Sequence, residues 1–551
     1  MSTDKIEEAA ETGELGERPW WHGAVIYQIY PRSFQDTDGN GVGDLPGITQ
    51  RLGYVADLGV DAIWLSPFYP SPQADFGYDL TAHCAVDPLF GDMSDFDALV
   101  ARAHELGLKV VIDAVLNHTS DQHPWFEASR ERRDGKDDWY QWVDARADGS
   151  VPNNWISRYG KPQWSWCPRR EQYYRHQYLA SQPALNLANE EVVRERLKFM
   201  TKWLDRGVDG LRFDAVPQYY SDPQLTDNPP ADPEDDAISP VGRFSPFAWQ
   251  KHIHDCNDER VEGFVARLQD EVACAGCTFT FSEIDVRLDA YRSLGRYTGG
   301  DQFNAAYTPD FMEASLRPSN IRAVAESTRM EASMRSLVWA ITNHDASRVA
   351  TRWAPEDADE ETRARVAKLA CALLVSLEGQ ASFFQGEELG LEDADYGFDE
   401  IRDPQGLAFW PKGKGRDPIR HPFPWDESRH GGFTDGEPWL PTKAALLGRH
   451  VAGQAKDEDS VLSVWRRLLR LRRDAPSLRY GAMSVKEADD ETGALRIARA
   501  ASDGGEAAVA LLNLSSSPLE AAAPDGRVLD RSAGAEAGRL PPYGWWIAEA
   551  E

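Results

Sequence analysis

Cysteine, long apolar runs and positive charge are all scarce in this chain of 551 residues. Six cysteines, Cys84, Cys167, Cys256, Cys274, Cys277 and Cys371, are too few for a disulfide scaffold, and with no export signal they read as reduced thiols. Cys274-Ala-Gly-Cys277 has the spacing of a redox or zinc half-site, but no second Cys or His pair completes a tetrahedral set. These cysteines therefore read as small buried or half-buried side chains. No segment approaches the ~20 apolar residues that cross a bilayer, and the mean hydropathy of −0.53 agrees. Met1 to Glu17 are polar and acidic without an apolar core, which predicts a disordered tail through residue 19 rather than a signal peptide or anchor. A soluble, cytoplasmic protein is expected. With 59 basic against 90 acidic residues, the net charge of −31 excludes nucleic acid and anionic membranes as partners held by bulk electrostatics. Small neutral molecules fit better, and no feature fixes an oligomeric state.

The chain is long enough, at 42% hydrophobic residues, to bury a large core. Short β-rich apolar runs at Ala24 to Tyr30, Asp61 to Ser66, Lys109 to Val115, Asp209 to Asp214, Thr278 to Glu283, Gln302 to Tyr307, Leu337 to Thr342 and Ala381 to Gln385 read as strands. Helical spacing occupies Ile48 to Leu58, Met93 to Leu106, Glu190 to Arg206, Val261 to Cys274 and Thr362 to Leu377. Eight strands alternating with helices predict an α/β fold with a parallel sheet, closed as a (β/α)8 TIM barrel over residues 20–116 and 183–475. Residues 117–182, rich in Trp, Tyr, Arg and Asp, read as a subdomain inserted after strand 3 that walls the site, with Trp164 and Trp166 lining the pocket or, as the favoured reading, in the subdomain's core. Gly386 to Lys456 reads as a long loop over the barrel mouth, and Val461 to Arg473 as a further helix. Residues 476–551 predict an antiparallel β domain.

Three of these strands end in charge. Val208-Asp-Gly-Leu-Arg-Phe-Asp-Ala-Val216 puts Arg212 and Asp214 on one face of a buried strand, Phe279-Thr-Phe-Ser-Glu283 ends on a carboxylate, and Val338-Trp-Ala-Ile-Thr-Asn-His-Asp345 ends on a His-Asp pair. Buried charge is costly unless it is paired or used. Acetal hydrolysis uses two carboxylates, one attacking or stabilising the cationic carbon and one protonating the leaving oxygen. Asp214 and Glu283 end adjacent strands, so they can face each other across a scissile bond. Arg212 is expected to hold Asp214 ionised, and burial beside Phe281 and Ile284 to raise the pKa of Glu283. Separately, Asp36-Thr-Asp-Gly-Asn-Gly-Val-Gly-Asp44 offers hard oxygens at alternate positions, a pattern suited to Ca²⁺ or Mg²⁺. It is not an EF-hand, because Gly47 stands where that loop has Glu.

The motifs Asp113-Ala-Val-Leu-Asn-His118, Gly210-Leu-Arg-Phe-Asp-Ala-Val-Pro217, Phe281-Ser-Glu-Ile284 and Ile341-Thr-Asn-His-Asp345, in this order, resemble the α-amylase family of glycoside hydrolases, in its oligo-1,6-glucosidase and α-glucosidase branch. The resemblance runs from Trp21 into the C-terminal domain. It implies Asp214 as nucleophile, Glu283 as general acid/base and Asp345 as a stabiliser gripping sugar hydroxyls, with His118, Arg212 and His344 around the innermost glucose. Ala74-Asp-Phe-Gly-Tyr-Asp79 resembles the loop closing the non-reducing end, where Asp75 accepts from terminal hydroxyls and Tyr78 stacks on the sugar. Arg416 and Arg420 resemble the pair from which an Arg reaches that Asp. In this branch a loop like that of residues 36–44 holds a structural cation through Asp36, Asp38, Asn40 and Asp44 with the Val42 carbonyl.

These parallels imply a retaining exo-α-glucosidase working through a covalent β-glucosyl intermediate, its two carboxyls about 5 to 5.5 Å apart. Transglucosylation is a close variant. Ala215, following the nucleophile, resembles branch members taking α-1,4 bonds, which favours maltose-type oligosaccharides over isomaltose. Departures stand at Ala184, Leu187 and His83, and Ile419-Arg-His-Pro-Phe-Pro-Trp425 also differs from the branch. Leu187, in place of an aromatic, leaves sucrose hydrolysis open beside oligo-1,6-glucosidase activity. A non-catalytic barrel partner of a membrane transporter is the remote alternative. Such partners typically lack part of the carboxylate triad and carry a membrane helix, unlike this chain.

Overall fold

A computed structural model describes residues 18–232, 242–285 and 289–550. The tail expected over residues 1–19 falls almost wholly outside them. Eight strands, β1 (Val25–Ile29), β2 (Ala62–Leu65), β3 (Lys109–Ala114), β4 (Gly210–Phe213), β5 (Phe279–Glu283), β6 (Ala305–Tyr307), β7 (Val338–Ala340) and β8 (Gln380–Phe384), form one sheet in the order β7-β8-β1-β2-β3-β4-β5-β6. Every pairing in it is parallel. The edge strands β6 and β7 meet through a parallel bridge between Ala306 and Leu337, which brings the sheet round to a nearly closed barrel. Covered on both faces, these strands are buried almost without interruption and rich in Val, Ile and Phe rather than alternating in polarity.

Helices surround the barrel: α1 (Leu45–Leu58), α2 (Met93–Glu105), α3 (Glu190–Leu204), α4 (Arg260–Cys274), α5 (Ala290–Thr298), α6 (Pro318–Glu331), α7 (Glu360–Ser376) and α8 (Val461–Asp474). Their starts follow local chemistry. Asp92 and Asp95 form a reciprocal capping box on α2, while Asn189, Asp359 and Ser460 cap α3, α7 and α8. Caps of this kind each contribute about 1 kcal/mol. α8 packs against both α7 and α1 and completes the ring.

The α5 and α6 segments lie outside the helices expected from spacing. The buried side of α6 is Pro318, Ile321, Val324, Ala325 and Thr328, in which two strongly apolar side chains are diluted by small or polar ones. The segment between β3 and α3 carries a short helix (Pro124–Arg130) and a three-stranded antiparallel sheet (Trp142–Val143, Trp164–Cys167, Gln172–Arg175). Trp164 is buried there beside Trp155, whereas Trp166 is exposed, in contrast to the core position expected of it. The C-terminal region forms a five-stranded antiparallel sheet and a two-stranded one. None of the six cysteines is bonded to another, and Cys274 is exposed rather than buried or half-buried. Among the described residues no helix is long and apolar enough to cross a membrane.

Candidate active site

The C-terminal ends of the barrel strands open into a cavity of about 740 Å³ lined by Asp214, Glu283 and Asp345. Arg212 explains how the first two come together. It stands on β4, in register with Asp113 on β3 and Phe281 on β5, with its side chain 1% exposed. Its Nη1 donates to Asp214 Oδ1 at 2.7 Å and to Asp113 Oδ1 at 3.1 Å, while Nη2 donates to Glu283 Oε2 at 2.6 Å and to Tyr307 OH at 2.6 Å. One buried guanidinium thus serves three carboxylates, and with a single cation among them full ionisation of all three is unfavourable. Burial pushes the Asp214 carboxyl well up; Arg212 pulls it back, and Glu283 and Asp113 oppose Arg212. Burial also raises Glu283 against the pull of Arg212, with Asp285 and Asp345 adding to the rise. The expectation for Glu283 therefore holds. The expectation that Arg212 holds Asp214 ionised needs correction, because burial outweighs its pull, Arg212 is shared and the two carboxyls titrate as a pair.

Asp345 has different company. Its side chain is 40% exposed, toward the cavity; Arg420 Nη2 donates to it at 2.5 Å, and Arg416 Nη1 lies 3.6 Å away. Burial opposes its ionisation, but His344, Arg416 and Arg420 outweigh that effect and hold its carboxyl below the usual range. Burial lowers His118 to about 4 and His344 to about 3, so both imidazoles are neutral at pH 7. His118 Nε2 lies 2.9 Å from the Tyr78 carbonyl, and His344 Nδ1 lies 2.8 Å from Gln28 Nε2. Tyr78 lines the cavity, stacks on His344 at 5.2 Å between ring centroids, and donates its hydroxyl to Asp113 at 2.9 Å.

Asp75 closes one end. Its Oδ1 accepts from Arg416 Nη2 at 2.6 Å and its Oδ2 from Gln182 Nε2 at 2.9 Å, with Tyr159 OH 3.3 Å away. Arg416 is oriented in turn by Asp403, which accepts from its Nη2 at 2.7 Å. Of the two arginines singled out in the sequence, Arg416 reaches Asp75, whereas Arg420 serves Asp345 and the His344 carbonyl. Gln182, Tyr159, Asp403, Tyr307, Asp285 and Arg158 were not expected at the site. Only Gln182 had a nearby signal, in Ser181-Gln-Pro-Ala-Leu-Asn-Leu187, where Ala184 and Leu187 drew attention instead. Those two are fully or almost fully buried and, with His83, lie off the cavity wall, His83 packing against Trp125 and Phe199. Ala215 is also buried and off the wall, in a left-handed conformation (φ 46°, ψ 46°) that turns the chain into the 3-10 turn Val216–Gln218.

Away from the cavity, oxygen atoms of Asp36, Asp38 and Asp44 lie within 4.8 Å of one another. Among the described residues none of the three forms an ion pair with Lys, Arg or His; backbone N–H groups, hydroxyls and the Asn40 carboxamide hold them. Asn40 Oδ1 accepts from Val42 N–H at 2.7 Å, and Asp44 Oδ1 from Gly47 N–H at 2.6 Å, capping α1. Three converging carboxylates without a cationic partner, two of them buried, suit a hard divalent cation.

A parallel barrel bearing three carboxylates and a shared arginine at the C-terminal ends of its strands defines a glycoside-hydrolase type of enzyme site. Residues 28–481 match the alpha-amylase family, described as "Alpha amylase, catalytic domain", and the chain belongs to that family. It is 44% identical over 474 residues to a "Probable alpha-glucosidase" of Rhizobium meliloti (strain 1021), covering 86% of each chain. It is 34% identical over 492 residues to an oligo-1,6-glucosidase of Heyndrickxia coagulans, covering 82% of this chain and 85% of that one. The crystal structure of XgtA, an alpha-glucosyl transfer enzyme, superposes with a TM-score of 0.91 at 40% identity, over 97% of this chain and 100% of the other.

Proposed function

We propose that the protein is a retaining, exo-acting α-glucosidase that removes terminal α-linked glucose from short neutral oligosaccharides. Asp214 attacks the anomeric carbon as the glycosidic bond breaks, and Glu283 passes its proton to the departing oxygen. A β-glucosyl ester on Asp214 results. Glu283, now a carboxylate, takes a proton from water, which displaces Asp214 and releases α-glucose. A second sugar or an alcohol in place of water gives transglucosylation. The observation that carries this reading is Arg212, whose two terminal nitrogens each hold one of the two carboxylates, consistent with the close spacing that retention requires. Burial that raises Glu283 suits a group that must still hold a proton near neutral pH. The closed end at Asp75 and Arg416 supports exo action, because forked, charged hydrogen bonds suit a terminal pair of hydroxyls. Asp345, gripping further hydroxyls, stays ionised between two arginines.

The preference for α-1,4 bonds rests on Ala215 and on the similarity to a relative named as an α-glucosidase. The loop of Asp36, Asp38, Asn40, Asp44 and the Val42 carbonyl would hold Ca²⁺ or Mg²⁺ in a structural role, tying the turn after β1 to the start of α1. A reducing, cytoplasmic setting agrees with six unpaired cysteines.

Azide tests the chemical assignment. Asp214→Ala is expected to lose at least about 10⁴-fold in kcat on an aryl α-glucoside, as nucleophile removals do, and to yield β-glucosyl azide when azide is added. Glu283→Ala should yield the α-azide. Undiminished turnover by Asp214→Ala, or exchanged stereochemistry, would sink the assignment. For the cation, stripping with a chelator should lower the melting temperature by a few degrees, and Ca²⁺ or Mg²⁺ should restore it, as expected for a ligand held by the folded state alone.

A further inference from the structure

Residues 157–161, in the segment between β3 and α3, make one tight turn. Ser157 N–H donates to the Lys161 carbonyl at 2.7 Å, and Gly160 N–H to the Ser157 carbonyl at 2.8 Å. Adjacent side chains leave this turn for different parts of the cavity. Tyr159 OH lies 3.3 Å from Asp75 Oδ1 and 3.2 Å from Arg416 Nη2, at the closed end. Arg158 Nη2 donates to the backbone carbonyl of Asp285 and, at 2.6 Å, to Asp285 Oδ2. That same oxygen accepts from Gln218 Nε2 at 3.1 Å and lies 3.4 Å from Tyr178 OH. Asp285 follows Glu283 by two residues, and both line the cavity. Arg158 is held at its own backbone, where its N–H donates to the Gln177 carbonyl at 3.0 Å.

We infer that Arg158 is a positioning residue for Glu283: by clamping the main chain and the side chain of Asp285, it fixes the strand end that carries the acid/base relative to the end of the pocket that holds the terminal glucose. The inference rests on the acid/base role proposed for Glu283. Proton transfer requires the carboxyl within about 2.6 to 3.2 Å of the glycosidic oxygen, and a misplacement of about 1 Å costs on the order of 10²-fold in rate. One turn thus touches both the Asp75–Arg416 end and the segment that carries Glu283, a link between them additional to the grip of Arg212 on Glu283.

Arg158 also neutralises a like charge. The groups acting on Glu283 are Arg212 from β4, Asp214 beyond it, Tyr307 from β6, Asp345 beyond β7, and Asp285 on its own segment. Without Arg158, the uncompensated Asp285 carboxylate makes Glu283 hold its proton to higher pH. Without the charge on Asp285, Glu283 releases its proton at lower pH.

Two substrates separate positioning from general damage: maltose, whose leaving group needs a proton, and α-glucosyl fluoride, whose leaving group does not. In kcat/KM, Arg158→Met is expected to lose about 10- to 100-fold on maltose and less than about threefold on the fluoride. The alkaline limb of its kcat/KM profile should move to higher pH, and that of Asp285→Asn to lower pH. Asp285→Asn keeps the shape and an acceptor for Arg158, so it supplies the pH readout even if Arg158→Met folds poorly. Equal losses on both substrates, or limbs that move in the same direction, would overturn the inference. Glu283→Gln is the reference. If it too loses equally on both substrates, the acid/base assignment itself fails; if it discriminates and Arg158→Met does not, only the positioning role falls.

Discussion

At the closed end of the cavity, Asp75 is 4% exposed and faces Arg416, Gln182 and Tyr159, with Asp403 fixing Arg416 from behind. Away from that end the lining includes the apolar Ile284, Pro309, Met312 and Ala346 together with polar groups such as Asn343, Arg352 and Lys412. The contrast divides the work of recognition. Under the proposed function, hydroxyls of the terminal glucose would meet charged partners whose positions are already fixed, so little reorganisation would be needed on binding. A leaving group placed against Met312 and its apolar neighbours would meet mainly shape, which discriminates weakly, by about 1 to 3 kcal/mol per methylene-sized difference. On this reading donor identity would be set strictly and acceptor identity loosely.

Three substitutions would break or sharpen this contrast. Asp75→Ala, at the closed end, should have the largest effect. Because it removes charge-assisted bonds worth about 1.5 to 3 kcal/mol each, catalytic efficiency should fall by about 10²-fold or more for every glucoside, whatever its leaving group. A loss that varied with the leaving group would contradict the division. Met312→Ala should change kcat/KM less than about tenfold, and unequally across maltose, isomaltose, sucrose and aryl glucosides. A uniform change across that series would place Met312 on the donor side. The smallest effect is expected of Ala215→Val. Ala215 is buried off the cavity wall and sets only the backbone after Asp214, and a β-branched residue is disfavoured at its positive φ, so a shift of a few-fold in the maltose-to-isomaltose ratio is expected. An unchanged ratio would remove Ala215 as a determinant of linkage.

The barrel was legible because its strands are buried on both faces and read as short β-branched and aromatic runs, three of them ending where a charge stands out against apolar neighbours. Asp214, Glu283 and Asp345 were visible for the same reason. Their supports were not. Asp75 and Arg416 are 341 residues apart in sequence, and Arg158 and Asp285 are 127 apart. A resemblance offered the first pair, whereas nothing local marks the second. Asp403 sits in a Gly- and Pro-rich stretch whose composition says only that it is a loop. Where one arginine is shared among three carboxylates, as Arg212 is, sequence order cannot tell which of them it serves most.

The seam of the barrel bears on this division as well. β6 and β7 have three residues each and meet at the Ala306–Leu337 bridge, whereas β1 and β2 run in register over four pairs from Ile26 to Ile29. Among the described residues one bridge joins those edges, so local opening is expected there before it occurs between β1 and β2. Pro309 and Met312 follow β6 directly, so this apolar part of the lining is mounted beside the seam. In hydrogen exchange, amides around 305–307 and 338–340 should lose protection before those of β1 to β3. Tolerance toward the acceptor would then have a mechanical origin as well as a chemical one: Met312 stands beside the seam, whereas Asp75 follows β2, which is paired over four residues on each side.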